Sequence, residues 1–332
     1  TAYLKTDKLS IEAGMKYLIL GALSSGLFLY GISLLYGTAH STHFDTIQAY
    51  ANTHGMSPMV LFSLVLIFAT VAFKIAAVPF HMWVPDVYQG APTPVTAFLS
   101  VGSKAAGFVI LIRLFLGVFE AWHIQWSMVL AVLSAITMCY GNLVAVFQTN
   151  IKRLFGYSSI AHAGYLLMGA CAGTALGISA MNFYLLGYLF TNLAAFTVIV
   201  LFYVVTKSDA IEDYAGLAKR SSILGVTLLI ALVSLAGMPP LAGFFGKFSL
   251  LMATMQAGYN WLALIAVFNI IVSLYYYLKV AKKVFVDHPK SSTKITVSQP
   301  LRLTLIFAAA AIIAIGLFQG PFMEIAMDAV AG

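Results

Sequence analysis

The chain has 332 residues, of which 61% are hydrophobic and 9% charged, with a mean hydropathy of +0.94. Soluble domains carry about a quarter charged residues, so this composition excludes a soluble enzyme and describes a polytopic membrane protein. The net charge of +7 would suit a nucleic acid if it were gathered on one surface, but the Lys and Arg residues are dispersed among loops, which excludes that partner and leaves the lipid bilayer.

An apolar tract of about 18 residues is long enough to cross the hydrocarbon core, and only a helix or a closed barrel satisfies its backbone there. Long tracts without alternation predict helices, nine in all: 15–36, 57–87, 94–119, 126–148, 154–172, 177–206, 223–256, 261–286 and 301–318. The first follows Lys5 and Lys8 and carries Lys16. The loop after it, 37–56, has no Lys or Arg, and neither do 120–125, 171–176 and 257–260. Basic residues instead flank every second loop, at Lys152 and Arg153, at Lys207, Lys219 and Arg220, and from Lys279 to Arg302. By the positive-inside rule these loops are cytoplasmic, and the C-terminus, with Glu324 and Asp328, is outside. Thr1 is not an initiator and no signal peptide precedes the first span, so N-terminal helices are expected to be missing.

The second tract would exceed about 45 Å as one helix, against a core of about 30 Å. It is interrupted by the stretch "FKIAAVPFHMWVPDVYQGAP", with Lys74, Pro79, His81 and Asp86. The third helix carries Lys104 and Arg113, and the fifth carries His162 within "YSSIAHAGYLL". The seventh tract is interrupted in the same way by "SLAGMPPLAGFFGKF", where Pro239 and Pro240 precede Lys247. Proline removes a backbone donor and clashes with the preceding turn, and glycines loosen the second break further.

Four cations remain within spans. Arg113 is near a helix end and snorkels to the interface. Lys74, Lys104 and Lys247 have no such escape, and a lysine at the centre of a span costs about 2.5–3.5 kcal/mol. Every one of the 11 Asp and Glu residues falls in or beside a loop, so none is expected as a permanent partner at depth. A lysine of that kind exchanges its proton as a neighbouring charge comes and goes. Three lysines joined by water, His81 and His162 would form a proton relay. Asp86 reads as a solvated or capping loop carboxylate, Trp83 as an interface anchor, and Cys139 and Cys171 as small apolar fillers.

Two interrupted helices in corresponding positions are the mark of transporter repeats. Aligning Pro79 with Pro240 makes the repeats run in opposite directions, with five helices in the second and three visible in the first. The expected division is 1–119 for the end of the first inverted repeat (broken helix 57–87), 120–286 for the second (broken helix 223–256), and 287–332 for a cytoplasmic loop and last helix.

The stretches "EAGMKYLILGALSSG", "FKIAAVPFHMWVPDVYQGAPTPVTAFL", "NIKRLFGYSSIAHAGYLL", "IEDYAGLAKRSS" and "LAGMPPLAGFFGKF" resemble the subunit N family of antiporter-like membrane subunits of respiratory complex I, the proton-pumping NADH:quinone oxidoreductase. That family is similar in turn to the large subunits of multi-subunit sodium/proton antiporters. The resemblance implies an all-α fold of two inverted five-helix repeats, of which this chain would carry the last nine helices. It places Lys74 and Lys104 on the first repeat, Lys247 beside the second break on the exit side, His81 and His162 on the connecting polar axis, and Lys16 on the first helix. The family's glutamate partner of the Lys74 position lies one helix earlier and is absent from this sequence. The resemblance also implies no cofactor in this chain, with FMN, iron–sulfur clusters and quinone on other subunits, neighbouring antiporter-like subunits as partners, and a bacterial cytoplasmic membrane. A sodium/proton antiporter subunit and a structural membrane scaffold that pumps nothing are the competing readings.

Overall fold

The computed structural model describes residues 1–4, 6–291 and 293–331, all of them helical or connecting; Lys5 lies outside the described residues. Helices begin where a polar side chain caps them. Asp7 accepts from Leu9 N at 3.2 Å before α1 (Lys8–Ala39), and α2 (Phe44–Thr53) follows in the loop after it. Ser57 accepts from Val60 N at 3.3 Å before α3 (Pro58–Ile75), which has proline at its first position, where no donor is lost.

The chain leaves helical geometry where the prolines predict. Between α3 and α4 (Trp83–Gly90), Ala76 turns left-handed with φ 65°. The helical run 93–118 that follows, α5, is not uniform: π-helical turns at Leu99–Ser103 and Ile112–Val118 bracket the α-helical Lys104–Leu111. Next come α6 (His123–Ala145), α7 (Ile151–Ala172) and α8 (Ala175–Thr206). The second interrupted tract is α9 (Ser222–Ala236) and α10 (Ala242–Gln256), separated by Gly237 with φ 82° and the pair Pro239 and Pro240. The chain closes with α11 (Asn260–Phe285), α12 (Gln299–Leu317) and α13 (Gln319–Ala331). Sequence reasoning did not foresee α2 and α13, because both are short and lie where only loops were sought.

Among the described residues, seven helical runs are long and apolar enough to cross a membrane, fewer than the nine expected. The seventh expected tract is divided into two 15-residue halves. The other exception, α7, has 22 residues, and every residue from Leu154 to Ala172 is buried. It packs against α4, α6, α8 and α10. A helix wrapped by protein instead of lipid can carry Tyr157, Ser158, Ser159, His162 and Tyr165, which lowers its hydropathy.

On the face of the basic loops, Lys152 pairs with Asp209 at 3.1 Å and donates to Ala91 O at 3.3 Å. Two loops there are fastened together by Ile295 N to Arg220 O (3.1 Å) and Lys290 to Asp213 (2.8 Å). The hydrogen bond from Lys290 holds the Asp213 carboxyl below the usual carboxylate range.

Candidate functional site: a buried polar axis along α7

The first break closes on itself. Trp83, expected at the membrane interface, is instead 1% exposed, and its indole Nε1 donates at 3.0 Å to Phe73 O, which also accepts from Ala76 N at 3.2 Å. Val78 N donates to Thr137 Oγ1 at 3.1 Å. An unpaired carbonyl or amide at this depth costs about 1–3 kcal/mol, so these bonds hold the interruption in one shape.

Lys74 departs from expectation. It lies in the last turn of α3 and its side chain is exposed, while Phe73 and Ile75 beside it are buried. Its Nζ stands 6.0 Å from the ring centroids of Tyr17 and Phe73. The break ends α3 just after Lys74, whose side chain is exposed although Ile67, Thr70 and Val71 on the same helix face are buried. Gly107 of α5 packs on its stem, where an added Cβ would stand 3.3 Å from Lys74 Cβ. His81 is buried within the break, its ring centroid 4.4 Å from that of Tyr140, with no hydrogen-bond partner for Nδ1 among the described residues. It is therefore not joined by hydrogen bonds to the lysines in this structure.

Asp86 also takes a place other than the one expected, and it meets Lys16, which lies on α1 as expected. Asp86 is no solvated cap: Lys16 Nζ lies 2.5 Å from its Oδ2 and Arg153 2.6 Å from its Oδ1, with Glu12 2.5 Å from Lys16. This four-membered cluster ties α1, α4 and α7 at the end of the bundle, away from the axis below.

The remaining expected groups converge on α7. Lys104, 2% exposed and directly after a π-helical turn, donates to Ser159 O at 2.5 Å. One turn on, His162 has a hydroxyl at each ring nitrogen: Tyr184 of α8 at Nδ1, and Tyr277 of α11 at Nε2, 3.0 Å away. The Tyr277 hydroxyl also bonds Ser158. Next along α7, Tyr165 OH accepts from Asn142 Nδ2 at 3.2 Å, and Asn142 is held by Asn269 (3.1 Å) and by Tyr276 (3.0 Å). Lys247 completes the row, with Nζ 4.8 Å above the Tyr165 ring.

Lys247 shows what the second break is for. Its Nζ reaches back across the gap and donates to Leu235 O at 2.7 Å, in the last turn of α9. Carbonyls at a helix C-terminus favour a cation. Glycine suits the turn on the way, because Gly237 has φ 82°, a left-handed backbone that other residues rarely adopt. Beside it, a cavity of about 10 Å³, close to the space of one water molecule, is lined by His162, Tyr184, Tyr188, Thr191, Ser234 and Gly243 among others.

The chemistry follows from these partners. Lys104 and Lys247 are in no ion pair among the described residues and are held by backbone carbonyls. A carbonyl accepts a hydrogen bond from an ammonium or from a neutral amine, so both protonation states keep the contact. Neutral imidazole accepts on one nitrogen and donates from the other, and a tyrosine hydroxyl does both. A proton can therefore enter His162 on one side and leave on the other.

Sequence reasoning placed Tyr157, Ser158, Ser159 and Tyr165 beside His162 but missed Tyr184, Tyr277, Asn142 and Asn269. The signal was present, since Asn269, Ser273 and Tyr276 recur at intervals of four and three and so share one helix face, and Tyr277 stands four residues beyond Ser273.

The family model described as "NADH:quinone oxidoreductase/Mrp antiporter, TM" matches residues 1–273. NADH-quinone oxidoreductase subunit N of Desulforamulus reducens is 46% identical over 325 residues, covering 98% of this chain and 68% of that protein. NAD(P)H-quinone oxidoreductase subunit 2 of Acaryochloris marina is 45% identical, covering 100% and 66%. Among solved structures, a chain of respiratory complex I from Thermus thermophilus with bound aureothin is similar with a TM-score of 0.83 and 35% identity, over 97% of this chain and 70% of that one. The chain thus spans about two thirds of the length of these relatives.

Proposed function

The chain belongs to the family of NADH:quinone oxidoreductase and Mrp antiporter membrane subunits, and on that premise we propose that it is the subunit N-type, proton-translocating membrane subunit of a quinone-reducing respiratory complex. The observation that carries this reading is the row Lys104, His162 and Lys247 on and around α7, with tyrosine hydroxyls on both ring nitrogens of the histidine. Quinone reduction takes place on other subunits, which hold FMN and iron–sulfur clusters, and the change of charge it causes is passed along the membrane to Lys74 and then to Lys104. Lys74 is exposed, where a charge on a neighbouring element can reach it. Each turnover shifts a proton from Lys104 through His162 to Lys247, and the proton leaves past the second break. Moving that charge against the membrane potential costs about 2.3 kcal/mol per 100 mV, so the redox reaction must drive it.

In this reading the nine tracts are nine spans, divided at 1–119, 120–286 and 287–332, and the α3/α4 and α9/α10 interruptions are the inverted pair. The loops holding Lys152, Lys207 and Lys290 face the cytoplasm of a bacterial cell and the C-terminus faces outside.

The test is coupled flux. In inverted membrane vesicles, NADH oxidation by quinone should acidify the lumen, and proton translocation and quinone reduction should fall together when this subunit is impaired. Sodium-dependent proton flux in cells lacking the quinone reductase would instead assign the chain to a sodium/proton antiporter. Tyr277→Phe removes the hydroxyl shared by His162 and Ser158 with little change of shape. It is expected to slow proton translocation and quinone reduction together, on the order of tenfold; unchanged rates of both would take that hydroxyl off the path.

A further inference from the structure

Lys104 must regain a proton after each turnover, and the axis leaves one buried charged pair unused. Lys152 is buried, and its Nζ lies 3.1 Å from Asp209 Oδ2 on the face of the basic loops. The pair is not needed to join its two loops. Backbone bonds already do so, from Ile151 N to Asp209 O and from Ile211 N to Thr149 O, each 2.8 Å. A buried ion pair also returns little net stability once its charges have left water. Asp209 stands at the border of solvent: its side chain is 14% exposed, while its Oδ1 is buried with no hydrogen-bond partner among the described residues.

From this pair the interface of α4 with α7 leads to Lys104. Lys152, Gly156 and Ser159 are four and three residues apart, so they share one face of α7, about 10 Å from first to last. Opposite them, at the end of α4, the carbonyl of Ala91 accepts from Lys152 at 3.3 Å, and one turn back stands Tyr88. Tyr88 lies over Gly156, where an added Cβ would be 3.6 Å from its Cβ and Cγ. Ser159, a turn further along α7, carries the carbonyl to which Lys104 donates. Tyr88 is 0% exposed, buried by this chain's own helices, and its hydroxyl has no hydrogen-bond partner among the described residues. Phenylalanine would fill the same space without burying an unpaired hydroxyl, which costs about 1–3 kcal/mol. Packing therefore does not account for the oxygen.

We propose that Asp209, Lys152 and Tyr88 form the entry by which a proton from the aqueous side of the basic loops reaches Lys104; this rests on the proton-translocating reading above. Asp209 Oδ1 takes the proton from water. A hydroxyl both donates and accepts, so Tyr88 passes its own proton toward the neutral amine of Lys104 and takes one in return from the Asp209 side, uncharged before and after. Water bridges buried polar groups of this kind and completes the path. Lys152 is a positioning residue: its ammonium holds Asp209 Oδ2 and Ala91 O, which leaves Oδ1 free to exchange.

The experiment uses the assembled complex in inverted vesicles and measures quinone reduction, proton translocation and the solvent deuterium isotope effect on both. Tyr88→Phe and Asp209→Asn are compared with the parent, with Lys247→Ala in parallel. Phenylalanine at position 88 breaks no side-chain hydrogen bond found among the described residues, so a packing role alone predicts parental rates. The entry predicts that both rates fall together on the order of tenfold, with a larger isotope effect than the parent, because proton uptake becomes the slow step. Asp209→Asn should fall likewise in vesicles that retain the subunit. Azide, whose small conjugate acid carries protons into such a gap, should restore quinone reduction in this variant and leave the parent unchanged; a misfolded subunit gains nothing from it. The entry is overturned if Tyr88→Phe keeps the parental rates and isotope effect while Lys247→Ala stops both activities, or if azide restores nothing to Asp209→Asn. If Lys247→Ala also runs at the parental rate, the translocating reading fails and the entry with it.

Discussion

Lys247→Ala is expected to stop proton translocation and to slow quinone reduction with it, by on the order of tenfold or more in inverted vesicles. Both losses should appear together, because a pump that cannot release its proton holds back the redox step that drives it. Alanine also leaves Leu235 O without its 2.7 Å donor, a cost of about 1–3 kcal/mol that could mimic a mechanistic effect by weakening the break. Lys247→Arg separates the two. Arginine keeps a cation and a donor for the carbonyl, but it does not give up its proton in a protein. It should therefore restore assembly without restoring proton flux. If both alanine and arginine variants run near the parental rate, Lys247 is not on the proton path and the scaffold reading moves ahead.

Gly243→Ala should damage the protein before any proton moves. A Cβ at this position would lie 1.8 Å from Ser234 O and 2.7 Å from Ser234 C, both backbone atoms in the last turn of α9. No rotamer change relieves such a contact, so the two half-helices must separate. Lys247, which spans the same gap, would lose Leu235 O at once. Overpacking of this kind costs on the order of 3 kcal/mol, to be read as a fall in the thermal stability of the assembled complex or in the amount of subunit retained. Gly21→Ala is the control, since nothing lies within 4 Å of its added Cβ, and it should be neutral or slightly stabilising.

Much of the architecture was legible before the coordinates, for physical reasons that can be named. Apolar length places the spans, and proline is costly within a helix, so Pro79, Pro239 and Pro240 mark both interruptions. Among the described residues Lys104 and Lys247 are held by the backbone carbonyls of Ser159 and Leu235. Other features depend on rotation about a helix axis, which a residue count does not supply. Lys74 is one residue from buried neighbours on each side, yet it is exposed. Asp86 and its partner Lys16 are 70 residues apart, and no local pattern predicts their meeting. Tyr184 and Tyr277 were overlooked because hydropathy scores them with the apolar residues, although their hydroxyls flank His162. The π-helical turn before Lys104 has no sequence signature among its residues Leu99–Ser103.

The burial of α7 from Leu154 to Ala172 has a consequence for how the chain is made. A segment carrying a histidine and several tyrosines and serines has little reason to leave the translocon for lipid by itself. Its most extensive packing is against α6, the helix synthesised just before it, across a connection of residues 146–150. Their contact is close because glycine stands on each side: a Cβ at Gly141 would lie 2.5 Å from Ala161 N, and one at Gly164 would lie 2.7 Å from Met138 N. Small residues of this kind let membrane helices approach backbone to backbone. The two should therefore enter the bilayer as one hairpin, with α6 supplying the apolar surface that α7 lacks. The polar side chains along α7 thus make that helix dependent on a chaperone within the same chain.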